Sequence, residues 1–222
     1  MISLLEKHFA KFEQKEVNIQ RQQVEPLTSN VVTTVEKEDA NQAQIFQGWL
    51  FPTITSKEYP QIILINTILG ASGLSSRLFL ELREKQGLAY TVRSVFDPFM
   101  LSGNFFVYIA TEPKNIQTSI NGFEKEMNKI MTEIISDEEL ENAKNNAIGK
   151  RQFYQETNLL EASLKGYYEY LGLGFDFEDG LIEAMKNVTK EEIIETASKY
   201  FSKPNVLCVL APKTHLENAN LL

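Results

Sequence analysis

Between residues 116 and 134 the apolar side chains Ile116, Ile120, Phe123, Met127, Ile130 and Ile134 recur at intervals of four, three, four, three and four. That spacing predicts a long amphipathic helix with one buried stripe, so the chain must supply a second surface for the stripe to pack on. The surface is visible on either side. Val31 to Glu36, Gln42 to Phe51, Leu88 to Phe96, Asn104 to Thr111 and Val206 to Leu210 are rich in β-branched and aromatic residues and read as strands. Leu88 to Phe96 and Asn104 to Thr111 are close enough in sequence to form an antiparallel pair. Further helices are expected over Ile2 to Phe12, over Lys57 to Leu69 with Gly70 as its stop, and from an N-cap at Ser75 to Gly87 with Leu78, Phe79 and Leu82 inward. Two more should open on the capping boxes Ser136-Asp-Glu-Glu139 and Thr189-Lys-Glu-Glu192. Strands in hairpins with helices between them and a lone strand at the end predict an α+β two-layer sandwich, a mostly antiparallel sheet with helices packed on one face.

Composition removes several kinds of function. Thirty acidic against twenty-two basic residues give a net charge of −8, and no Lys/Arg cluster is interleaved with aromatics, so a phosphate backbone would be repelled and nucleic acid is not expected as a partner. The longest apolar run, Ile62 to Gly70, is far shorter than the ~20 residues of a membrane span. No secretory signal is visible at the N-terminus, which favours the cytoplasm without fixing the compartment. Cys208 stands alone in an apolar run and reads as a buried structural thiol. The two histidines, His8 and His215, form neither an H-x-x-E-H nor an H-E-x-x-H pair, so no metal or other cofactor is expected on this chain. Their separation also argues against a Ser/His or Cys/His nucleophile.

The stretch GLSSRLFLELREKQGLAY, residues 73 to 90, is harder to dismiss. Taken singly, Arg83 is a cation suited to the last turn of a helix and Tyr90 an ordinary strand aromatic. The whole string, a glycine-containing loop from Gly70 to Arg77, a Leu-Phe-Leu-Glu-Leu helix and then R-E-K-Q-G-L-A-Y, resembles the C-terminal domain of the pitrilysin-type zinc metallopeptidases. That family includes insulysin, mitochondrial processing peptidase and bacterial two-domain relatives. The resemblance runs from about Val31 to Pro212. It implies that residues 1–26 are the last helix and linker of a preceding domain, that 27–215 form the peptidase C-terminal domain, and that 216–222 are a tail.

In that family two homologous domains face each other and only one carries H-x-x-E-H. The motif is absent here, so the resemblance implies the non-catalytic, substrate-binding half of a zinc endopeptidase. Its partners would be a peptide substrate and an H-x-x-E-H domain holding the zinc, on the same chain or as a separate subunit in a homo- or heterodimer. Position by position, the arginine and tyrosine that this half supplies across the chamber fall on Arg83 and Tyr90. Gly70 and Gly73 fall in a loop at the chamber mouth, with hinge or gating roles, and Gly87 provides the turn between helix and strand. The alternative is a structural homologue without a proteolytic role, as in core subunits of the respiratory bc complex. Trp49, Phe51, Phe105 and Phe106 could line a peptide groove or pack in the core.

Overall fold

The computed structural model describes residues 2–13 and 24–222. The expected linker, Asn18 to Pro26, lies largely outside them. In chain order the elements are α1 (Ile2–Phe9), β1 (Val31–Glu36), β2 (Ala43–Phe51), α2 (Tyr59–Asn66), β3 (Ala89–Pro98), β4 (Gly103–Thr111), α3 (Ile116–Thr132), α4 (Asp137–Phe153), α5 (Asn158–Tyr170), α6 (Phe177–Asn187), α7 (Lys190–Phe201), β5 (Asn205–Ala211) and α8 (Lys213–Asn218). Two π-helical segments, Thr67–Ala71 and Phe79–Glu84, lie between α2 and β3.

Strand alternation builds the sheet. On β2 the residues Ala43, Ile45, Gln47, Trp49 and Phe51 are buried, and on β4 Phe105, Val107 and Ile109 match them. The order is β1-β5-β2-β4-β3, antiparallel except where β5 runs parallel to β1. β1 and β3 are therefore the edges. The helices cover the face that carries these residues, giving the two-layer α+β sandwich. Trp49, Phe51 and Phe105 belong to its core: their rings lie 5.1, 5.2 and 5.0 Å from the ring of Phe201 on α7. Phe106 alternates to the opposite face, beside Phe46. Cys208 also points that way and is half-buried rather than buried.

Several boundaries differ from expectation. The α3 stripe is buried at Ile116, Ile120, Phe123, Met127 and Ile130, but Ile134 is 59% exposed and Ile135, at 2%, takes its place. The helix ends at Thr132 and Glu133 is extended, so the side-chain period changes there from 3.6 to 2. Gly70 does not stop a helix: α2 passes into the π-helical turn, and Gly70 is buried within it. Ser76, not Ser75, precedes the next helix; its backbone is extended and its carbonyl accepts from the Leu80 N–H. The box at Thr189 is complete, whereas at Ser136 only the hydroxyl half forms, because the half-buried Arg77 guanidinium holds the Glu139 carboxylate at 2.6 and 2.7 Å. Helices α5, α6 and α8 are additional to the elements expected from sequence. α8 runs across residue 215 and buries Leu216 completely.

Candidate peptide-binding cleft

The helix that carries Arg83 starts at Ser76 and is anchored from inside by Leu78 and Leu82, both fully buried. A Cβ on Gly122 would come within 2.2 Å of a Leu82 methyl, so this glycine lets α3 and the Arg83 helix approach closely. Over Phe79–Glu84 the helix widens to π geometry, with the Lys85 N–H reaching back five residues to the Leu80 carbonyl at 3.0 Å. Insertions of this kind gather at functional sites because they re-aim the side chains they carry. Gly87, at φ 64°, then turns the chain with its N–H on the Arg83 carbonyl, and the Thr111 hydroxyl caps the Leu88 carbonyl at 2.7 Å.

Immediately beyond, Ala89 pairs with Thr111 and Thr91 with Ala110, leaving Tyr90 as the extra residue of a β-bulge. A bulge twists the strand and frees one side chain from the sheet's alternation. Tyr90 accordingly stands 79% exposed on an edge strand. Arg83 folds over it: one guanidinium nitrogen donates to the Tyr90 carbonyl at 2.6 Å, and the group lies 4.8 Å from the Tyr90 ring centroid and 4.7 Å from that of Phe79. Stacking between two rings fixes the plane of the fork while leaving further N–H donors to bind elsewhere. No carboxylate among the described residues forms an ion pair with it. The structure thus brings Arg83 and Tyr90 together at one place.

That place is an open cleft of about 600 Å³, whose walls are Phe79, Arg83, the run Tyr90 to Phe96 on β3, and the Gly70 to Leu74 segment. Gly70 holds the walls together. A Cβ there would lie 2.0 Å from the Ser94 amide nitrogen, so only glycine allows the π-helical turn to rest on the edge of β3. The Ser94 hydroxyl fastens the contact, 2.7 Å from the Asn66 side-chain oxygen and 3.0 Å from its carbonyl. Gly73, at φ 74°, has open space around it at the rim. The ring support from Phe79 has no local sequence signal, and the clasp of Ser94 on Asn66 is signalled only by Gly70, a glycine where no turn is needed.

A second cluster of like composition lies deeper. Arg151 donates to the Glu178 carboxylate at 2.9 and 3.0 Å, to the Tyr59 phenol at 3.3 Å and to the Tyr168 phenol at 3.4 Å, and the Tyr168 hydroxyl also donates to Glu178. Burial, reinforced by the Glu178 carboxylate, pushes the Tyr168 phenol well above its ordinary range. It is a closed network with its donors and acceptors spent on one another.

Residues 1–147 match the family model described as the peptidase M16 inactive domain. The chain belongs to that family. Among curated proteins, an "Uncharacterized zinc protease" of Rickettsia bellii is 32% identical over 146 residues, covering 65% of this chain and 35% of that protein. The zinc protease YmxG of Bacillus subtilis, also named uncharacterized, is 26% identical over 180 residues, covering 81% of this chain and 44% of its own length. Among solved structures, the peptidase M16 inactive domain of Pseudomonas fluorescens superposes with a TM-score of 0.86 at 19% identity, over 95% of this chain and 50% of that one. The M16 inactive domain described here therefore spans less than half of the curated relatives it matches. Among the described residues no three His, Cys, Asp or Glu side chains converge, and His8 and His215 lie on α1 and α8. No helix among them is long and apolar enough to cross a membrane.

Proposed function

We propose that this M16 inactive domain is the substrate-binding half of a zinc endopeptidase and presents Arg83 and Tyr90 to a peptide held by a homologous H-x-x-E-H half, which carries the zinc. The observation that carries the reading is the stacked, acid-free Arg83 beside an exposed Tyr90 in a cleft open to solvent. Attack on a peptide carbonyl builds negative charge on its oxygen. A phenol placed there donates a hydrogen bond that strengthens as the charge grows, worth about 3 kcal/mol for a typical oxyanion donor. Tyr90 suits this because the bulge frees its hydroxyl from the sheet. Arg83, its plane already fixed, grips a neighbouring carbonyl of the peptide and sets its register. Gly70, Gly73 and Gly87 shape and bound the cleft, and Gly73 has the freedom that a gating rim needs. α1 buries none of its residues, and Ile2, Leu5 and Phe9 lie exposed, which suits a helix that packs on a preceding domain.

The test is reconstitution. Mixed with its H-x-x-E-H half, this chain should restore peptide cleavage that neither shows alone, and Arg83→Ala should raise KM about tenfold, as loss of a ground-state grip does. Cleavage by the zinc half that proceeds equally well without this chain would remove the proposal.

A further inference from the structure

A second hollow adjoins the cleft at Phe96. Asn66, Ala71 and Phe96 line the cleft and also line this hollow of about 420 Å³ beneath α4 and α5. The hollow's walls are aliphatic at Ile63 and Leu164 and aromatic at Tyr59, Tyr154 and Tyr167. A space of that size accepts a large side chain, and rings on several sides favour an apolar or aromatic one.

Charge narrows the choice. The charged residues lining the hollow are Lys150 and Arg151, in a chain whose net charge is −8. Arg151 is neutralised by Glu178 behind the wall. Lys150 is exposed on α4 at the mouth, where its ammonium donates to the Ala71 carbonyl, and among the described residues no carboxylate forms an ion pair with it. The uncompensated charge on the hollow's lining is therefore positive, opposite to that of the molecule as a whole, and it disfavours a like charge brought beside it.

We infer that this hollow is a specificity subsite of the same cleft, which takes a large apolar or aromatic side chain of the bound peptide and rejects a lysine or arginine. The inference rests on the peptide-binding reading given above. β3 sets its distance. From Tyr90 to Phe96 is six residues of extended strand, roughly 20 Å at about 3.3 Å per residue. A peptide lying along this edge would therefore place the recognised side chain about six residues from the bond that is cleaved.

The experiment uses pairs of peptides, identical except for Phe or Lys at single positions about four to eight residues from the cleaved bond, and the complex of this chain with its zinc half. At one such position kcat/KM for Phe should exceed that for Lys about tenfold or more. Lys150→Glu should bring the ratio near unity by improving the Lys peptide, and Leu164→Trp, which fills the hollow, should weaken the Phe peptide alone. A wild-type ratio that both variants leave unchanged, or no position showing a preference, overturns the subsite. Lys150 is exposed, so its variant keeps the test informative if Leu164→Trp fails to fold. Fluorescence titration of the same peptides against this chain without the zinc half separates the two proposals. Binding that prefers Phe, and loses the preference in Lys150→Glu, supports the subsite even if Arg83→Ala cleaves normally. Equal binding of Phe and Lys peptides, with cleavage still dependent on Arg83, sinks the subsite and leaves the Arg83 role standing.

Discussion

The domain holds two arginine and tyrosine groupings of nearly the same chemistry in opposite states. At Arg151 the guanidinium is enclosed, its side chain 12% exposed against a Glu178 side chain at 5%, and two phenols complete the network. At Arg83 the guanidinium faces two rings and a single carbonyl, beside a tyrosine whose hydroxyl bonds to nothing within the described part of the chain. The first has satisfied its polar groups internally and so serves the fold. The second leaves its remaining donors to solvent, which an incoming partner can displace. Residue type does not distinguish the two; saturation and exposure do.

The sharpest way to break the contrast is to remove each arginine in turn. Arg151→Ala strands the Glu178 carboxylate in the interior and should cost about 3 to 5 kcal/mol in denaturant unfolding. Arg83→Ala loses two ring contacts and one carbonyl hydrogen bond at a solvent-open site and should cost about 1 to 2 kcal/mol. Equal losses would mean that both groupings are structural. A smaller effect is expected from Gly70→Ala, whose methyl must displace the β3 backbone; a cost of about 1 to 3 kcal/mol is typical of such overpacking, and hydrogen exchange at Ser94 should rise with it.

The smallest effect calibrates a half-exposed pair against the buried one. Lys199 donates to Glu58 and, as the largest cause, holds that carboxyl below its ordinary value of 4.5. A carboxyl depressed in the folded state stabilises at pH above its unfolded value, and the gain is lost as pH falls through the folded one. Lys199→Met should therefore cost under about 1 kcal/mol at neutral pH, after solvent screening, and the gap from wild type should close on acidification below about pH 4. A gap that is independent of pH would assign the loss to packing against Tyr200 instead.

What could be read beforehand follows the range of each interaction. Arg83 and Tyr90 are seven residues apart and linked by one helix end, so their string carries the candidate site within a single short stretch. The Arg151 network joins residues up to 92 positions apart and has no local signature. Gly70 read as a helix stop because sequence does not show that β3 would lie against it. The stripe on α3 was legible through Ile130 and failed at Ile134, where an extended residue replaces the helix. α5 packs Leu164 and Tyr168 inward but leaves Leu159, Leu160, Tyr167 and Tyr170 exposed, so apolar residues on both sides blur its periodicity. The hydroxyl half of the Ser136 box was visible, but the claim of Arg77 on Glu139, from 62 residues away, was not.

The central claim is that Tyr90 acts on the transition state and not on the fold. The measurement is the single-turnover rate of Tyr90→Phe in complex with the zinc half, alongside the thermal midpoint of the same variant. The account predicts a rate about 10² lower, the loss of one oxyanion donor, with a midpoint within about 2 °C of wild type. A full rate together with a midpoint lowered by many degrees would contradict it and make Tyr90 a structural residue.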